Sequence, residues 1–167
     1  MANEKIKVIF LDVDGVINPA SNYFEGITEE ALKILKTAVD DTDAKIVLTS
    51  TWRCFANTLT QVMDAFASVG LTLYGVTPDG VPFEKLKDTP WDGIMSQSDR
   101  NNVLNTDRGA EIAWWYWNKR DQIESFVIVD DEVTDILYYF PDRYVRIDHH
   151  TGLTSQDAVK IVRMLEE

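Results

Sequence analysis

Three times in this chain a run of apolar, mostly β-branched residues stops abruptly at polar ones. Val8-Ile9-Phe10-Leu11 ends at Asp12, Ile46-Val47-Leu48 at Thr49-Ser50, and Phe126-Val127-Ile128-Val129 at Asp130-Asp131. Runs of this length and make-up read as strands buried on both faces. Between them, apolar residues recur at helical spacing. Thr28-Glu29-Glu30 reads as a capped helix start leading into Ala31, Ile34, Leu35 and Ala38, with an end near Asp40-Asp41. A second helix carries Leu59, Val62, Met63, Phe66 and Val69 and stops at Gly70; a third starts at Gly109 and carries Ile112, Trp115 and Tyr116. Leu71 to Val76 is a shorter strand and Tyr144-Val145-Arg146-Ile147 a last one. Thr154 with Asp157 three positions on caps a final helix bearing Ala158, Ile161, Val162 and Leu165. Strands alternating with helices predict an α/β fold: a three-layer, Rossmann-like arrangement around a mainly parallel sheet, which binds ligands beyond the carboxyl ends of its strands. Asp12, Asp14, Ser50 and Asp131 all fall at those ends.

The 167 residues fit one domain, residues 1–167, with an ordinary 45% of hydrophobic residues. Residues 77–107 hold Gly, Pro, Asp and Ser without clear periodicity, which predicts a small insertion near the functional face. There is no charged-then-apolar leader and no apolar run long enough to span a bilayer, so the expectation is a cytoplasmic protein without a membrane partner. One cysteine, Cys54, excludes an internal disulfide framework and a cysteine-cluster metal site. A formal net charge of −12 repels polyanions and lowers the expectation of a broad nucleic-acid-binding surface.

Residues two apart on an extended chain point to the same side, so Asp12 and Asp14 crowd like charges together. An acidic turn is the plain alternative, but strand-end polar groups recurring elsewhere favour a cation site, and oxygen-only ligands suit Mg²⁺ better than zinc. A carboxylate at Asp12 can attack phosphorus, while Asp14 gives a proton to the leaving alkoxide and later takes one from water. A phosphoryl group in transfer also needs a further acid for the cation, a hydroxyl and a basic side chain. Asp131 supplies the acid, Ser50 or Thr49 the hydroxyl, and Arg108 the positive charge.

With those residues in place, the chain resembles the phosphatases of the haloacid dehalogenase superfamily. Asp12-Val13-Asp14-Gly15-Val16 matches the first motif and implies Asp12 as nucleophile and Asp14 as acid/base; Ser50, with Thr49 as fallback, matches the second. Asp130-Asp131 matches the fourth, which implies Asp131 as metal ligand beside Asp12 and Asp14, with Asp130 and Asp135 behind them. The third motif usually holds a lysine; here Arg108 is the best-placed replacement and Lys119 the runner-up. Finer resemblance is to the small domains of this superfamily associated with RNA-repair proteins. It runs through Thr49-Ser50-Thr51-Trp52-Arg53, Arg108-Gly109 with Glu111-Ile112, Asp130-Asp131-Glu132 and Arg146-Ile147-Asp148. The resemblance implies a Mg²⁺-dependent phosphomonoesterase with an aspartyl-phosphate intermediate. About thirty residues separate the first two motifs, too few for the helical cap of some relatives, so a minimal cap and a macromolecular phosphate, on a nucleic-acid end or a phosphoprotein, are implied. The alternatives are a non-catalytic module that binds phosphate or metal, and a phosphatase or nucleotidase of small metabolites.

Trp52 and Arg53, just past the second motif, are candidate substrate contacts. Trp114, Trp115, Tyr116 and Trp117 are consecutive and circle a helix, so core packing is expected over base stacking. Adjacent His149 and His150 point apart on an extended chain and lack a third nitrogen ligand, which argues against a metal site there. Asn18 and Asn57 either orient loops near the site or serve as turn and cap residues.

Overall fold

The computed structural model describes residues 3–81, 83–94, 108–132 and 135–167. Five parallel strands form its sheet: β1 (Ile6–Leu11), β2 (Lys45–Leu48), β3 (Leu73–Val76), β4 (Ile123–Asp130) and β5 (Tyr144–Arg146), in the order β3-β2-β1-β4-β5. The helices are α1 (Glu29–Thr42), α2 (Ala56–Ser68), α3 (Arg108–Lys119), the single turn α4 (Ile136–Tyr139) and α5 (Ser155–Glu166).

Alternation along β1 explains its unbroken apolar run. Ile9 and Leu11 enter a core built with Leu32 and Leu35 of α1, Phe66 of α2 and Ile161 of α5. Val8 and Phe10 enter a second core on the other face, with Ile112 and Trp115 of α3 and Ile136 of α4. Both faces are therefore covered, and the three-layer α/β expectation holds with every strand pair parallel. Local signals place the helix starts. Thr28 accepts from the Ala31 backbone N–H with Glu29 and Glu30 in the first turn, and Thr154 and Asp157 form a reciprocal capping box.

Strand β2 ends at Leu48, where its apolar run ends, so Thr49 and Ser50 lie just past it, and β3 starts at Leu73, two residues later than expected. The single turn α4 has too few residues for a periodic signal and was not expected. Part of the expected insertion at 77–107 belongs to the interior of the fold. Val81, Leu86 and Trp91 are buried in the second core, and the Trp91 indole N–H donates to the Tyr139 carbonyl at 3.0 Å. Residues 95–107 of that expectation lie outside the described residues. The aromatic run of α3 packs as expected: Trp115 is buried against Phe10, while Trp114, Tyr116 and Trp117 lie partly buried against the same core. Among the described residues no helix is long and apolar enough to cross a membrane.

Candidate active site

The chain runs outward from β1 to β3, then returns to β4 on the other side of β1. The switch in direction falls between β1 and β4, where parallel sheets of this kind open a crevice beyond their strand ends. Leu11 pairs with Val129, and the Asp12 N–H donates to the Val129 carbonyl at 3.0 Å, so the ladder carries Asp12 up beside Asp130. The neighbouring Asp131 completes a group: one carboxylate oxygen from each of Asp12, Asp130 and Asp131 lies within 4.8 Å of the others.

Arg108, the first residue of α3, reaches over two of the three. Its Nη1 donates to Asp130 Oδ2 at 2.8 Å and lies 3.3 Å from Asp12 Oδ2. Asp135 steadies that helix start by accepting the Gly109 N–H at 3.0 Å. Lys119 ends the same helix about 16 Å away by helix rise, with its ammonium over the Trp115 ring. Arg108, not Lys119, is the basic group brought to the acids.

Burial raises the Asp12 carboxyl well above the ordinary range, helped by the neighbouring Asp130 charge and opposed by Arg108. Burial likewise pushes Asp130 up to about 6 against the pull of Arg108 and of the Glu132 N–H. For Arg108, burial works against the charge, but Asp12 and Asp130 outweigh it and hold the proton more tightly than usual. Three carboxylates facing one guanidinium leave the ionised group two charges short of neutral. An all-oxygen donor set with that deficit fits a hard divalent cation such as Mg²⁺.

Asp14 stands apart from the trio. Its Oδ1 accepts from the Asn18 amide at 2.7 Å and its Oδ2 from the Trp52 indole N–H at 3.2 Å. The like-charge crowding expected of Asp12 and Asp14 is thus relieved by hydrogen-bond donors on Asp14, while the cation-seeking crowd is Asp12 with Asp130 and Asp131. Asp130, expected behind the ligands, is one of the three clustered acids.

Of the two hydroxyls, Ser50 Oγ accepts from the Trp52 N–H and caps the turn Thr51–Cys54. Thr49 Oγ1 is buried and, among the described residues, has no hydrogen-bond partner. Arg53 differs most from its expected placement. Its Nε donates to the Thr77 carbonyl, Nη1 to the Thr49 and Ser50 carbonyls, and Nη2 to the Pro78 carbonyl and Glu111 Oε2. Its five donors are spent, and its side chain is only 4% exposed, so it ties the loops after β2 and β3 to α3 instead of facing a substrate. Glu111, its buried partner, also accepts the Gly80 N–H at 2.6 Å. Sequence reading gave Glu111 no such task; the available signal was an acid beside Ile112 on the apolar side of α3. His149 and His150 are exposed.

Sheet order, carboxylate trio and Arg108 define the site of a haloacid dehalogenase-type α/β domain. The chain belongs to the family described as the HAD domain in Swiss Army Knife RNA repair proteins, whose model matches residues 8–158. Comparison with curated proteins and with solved structures found no match.

Proposed function

We propose that the protein is a Mg²⁺-dependent phosphomonoesterase. The observation that carries this reading is the carboxylate trio under Arg108 at the β1–β4 switch point. Asp12 attacks phosphorus, the ester P–O bond breaks, and the departing alkoxide takes a proton from Asp14, leaving an aspartyl-phosphate on Asp12. Asp14, now ionised, takes a proton from water; that water attacks phosphorus, releasing phosphate and restoring Asp12. Arg108 holds the phosphoryl oxygens together with the hydroxyl of Thr49 or Ser50. Mg²⁺ held by Asp12, Asp130 and Asp131 would supply positive charge against the phosphoryl oxygens.

The connection from β1 to β2 contains one short 3₁₀ turn (Ala20–Asn22) and α1, with no cap domain between them. The lack of a cap domain in that connection favours a phosphate on a large molecule, and the RNA-repair context in the family description makes a phosphorylated nucleic-acid end the first to assay. Phosphoprotein and mononucleotides are the comparison substrates. The test of the chemistry is Asp12→Asn in a Mg²⁺-containing assay with an aryl phosphate. Turnover should vanish while the thermal transition stays; turnover retained above background overturns the covalent role.

A second reading, a phosphate-binding module that does not turn over, is favoured by one contact. Arg108 lies 3.3 Å from the Asp12 oxygen that would otherwise be free to attack. Binding of beryllium fluoride with Mg²⁺, combined with no hydrolysis across a phosphate panel, would establish it in place of the first.

A further inference from the structure

Asp14 is the exposed member of the opening motif, yet both of its oxygens are engaged. Asn18, which holds Oδ1, is almost fully buried at 1% exposure. Its orientation is fixed from behind. The Gly26 backbone N–H can only donate, and it donates to Asn18 Oδ1 at 3.0 Å, so the amide NH₂ must face Asp14 and the Phe24 carbonyl. Trp52 holds Oδ2 from the loop after β2. Its backbone N–H is fixed by Ser50 Oγ, its carbonyl accepts the Thr58 hydroxyl at 2.6 Å, and its ring packs against the first core. The two donors come from separate loops, each anchored independently of Asp14. Such an arrangement leaves the carboxylate little freedom to rotate.

We infer that Trp52, together with Asn18, is a positioning residue that aims the Asp14 carboxyl for proton transfer, its indole N–H fixing one oxygen while the Asn18 amide fixes the other. This rests on the phosphatase reading of the site. Trp52 acts through Asp14 and need not touch substrate, which replaces its expected role as a substrate contact.

The test uses Trp52→Phe, which keeps an aromatic ring, though a smaller one, against the core and removes the indole N–H. The value of kcat/KM reports the first transfer step, in which Asp14 donates its proton. An alkyl ester needs that proton; a nitrophenyl ester, with its stabilised leaving group, scarcely does. Trp52→Phe should therefore lower kcat/KM by at least about tenfold more on the alkyl ester than on the nitrophenyl ester, a fraction of the 10²–10⁴ ascribed to general acid catalysis. Equal losses on both esters, or no loss on either, overturn the positioning role.

A second measurement needs no turnover. In the Mg²⁺-free protein, the indole N–H resonance that disappears in Trp52→Phe should shift in Asp14→Asn, and an unmoved resonance also overturns the inference. If the wild-type protein hydrolyses neither ester, the phosphatase reading fails and the proton-transfer role with it. The resonance shift would then mark only a structural hydrogen bond.

Discussion

Gly15 decides how closely the opening loop can approach the acids. Its φ is +80°, and a Cβ there would stand 2.3 Å from Asp131 Oδ2. The obstacle is the tip of a side chain, so Asp131 can swing aside, but only by leaving the carboxylate trio. Gly15→Ala should therefore cost about 1–3 kcal/mol from the backbone conformation and also reduce the thermal protection given by Mg²⁺, measured by scans with and without the ion. Full Mg²⁺ protection would mean that Asp131 does not hold the cation. At this scale the sequence was partly readable. Asp12, Asp131 and Arg108 could be picked out because strand ends and a helix start are visible in apolar patterning. The tying role of Arg53 could not, because it depends on the carbonyls of residues 77 and 78 and on Glu111, which only the folded chain brings to it. Nor could the separation of Asp14 from the trio, which depends on an indole donor arriving from another loop.

Helix α3 is the element on which the site's positive charge depends, and it is held at both faces. Glu111 binds it to Arg53 and to the Gly80 N–H, while Gly109 allows it to pass against α4. A Cβ on Gly109 would fall 2.3 Å from the Tyr139 ring, and Tyr139 is 4% exposed. Alanine is ordinarily the better helix former, yet here overpacking outweighs propensity. Gly109→Ala should destabilise by about 1–3 kcal/mol, read as a lowered midpoint in thermal circular dichroism. An unchanged or raised midpoint would show that α4 yields freely. Long elements with strong apolar periodicity, α1, α2, α3 and α5, were legible from the sequence. The single turn α4 and the buried stretch around Leu86 and Trp91 were not, because one turn has no period and isolated apolar residues in a polar segment resemble a loop.

For the molecule as a whole, the acids give stability a pH dependence of definite sign. Asp12 and Asp130 titrate above their unfolded values, Asp130 at about 6. A carboxyl raised on folding contributes stability that is present below its unfolded value and lost as pH climbs through the folded one. In the metal-free protein this contribution should disappear between about pH 4 and pH 6 for Asp130, and a cation must displace the same protons to bind. The rise in melting temperature on adding Mg²⁺ should thus be larger near pH 7.5 than near pH 5, as followed by thermal scans at fixed Mg²⁺. A Mg²⁺ effect that is flat across that interval would remove Asp12 and Asp130 from the ion's environment.

The pairing of β1 with β4 has a consequence for how the chain reaches its working form. The two strands are neighbours in the sheet but are separated along the chain by β2, β3 and the helices α1, α2 and α3. Contacts between such distant segments close large loops and form slowly compared with local ones. Asp12 and Asp130 meet only when β4 pairs with β1, and a partly folded chain lacking that pairing carries no assembled site.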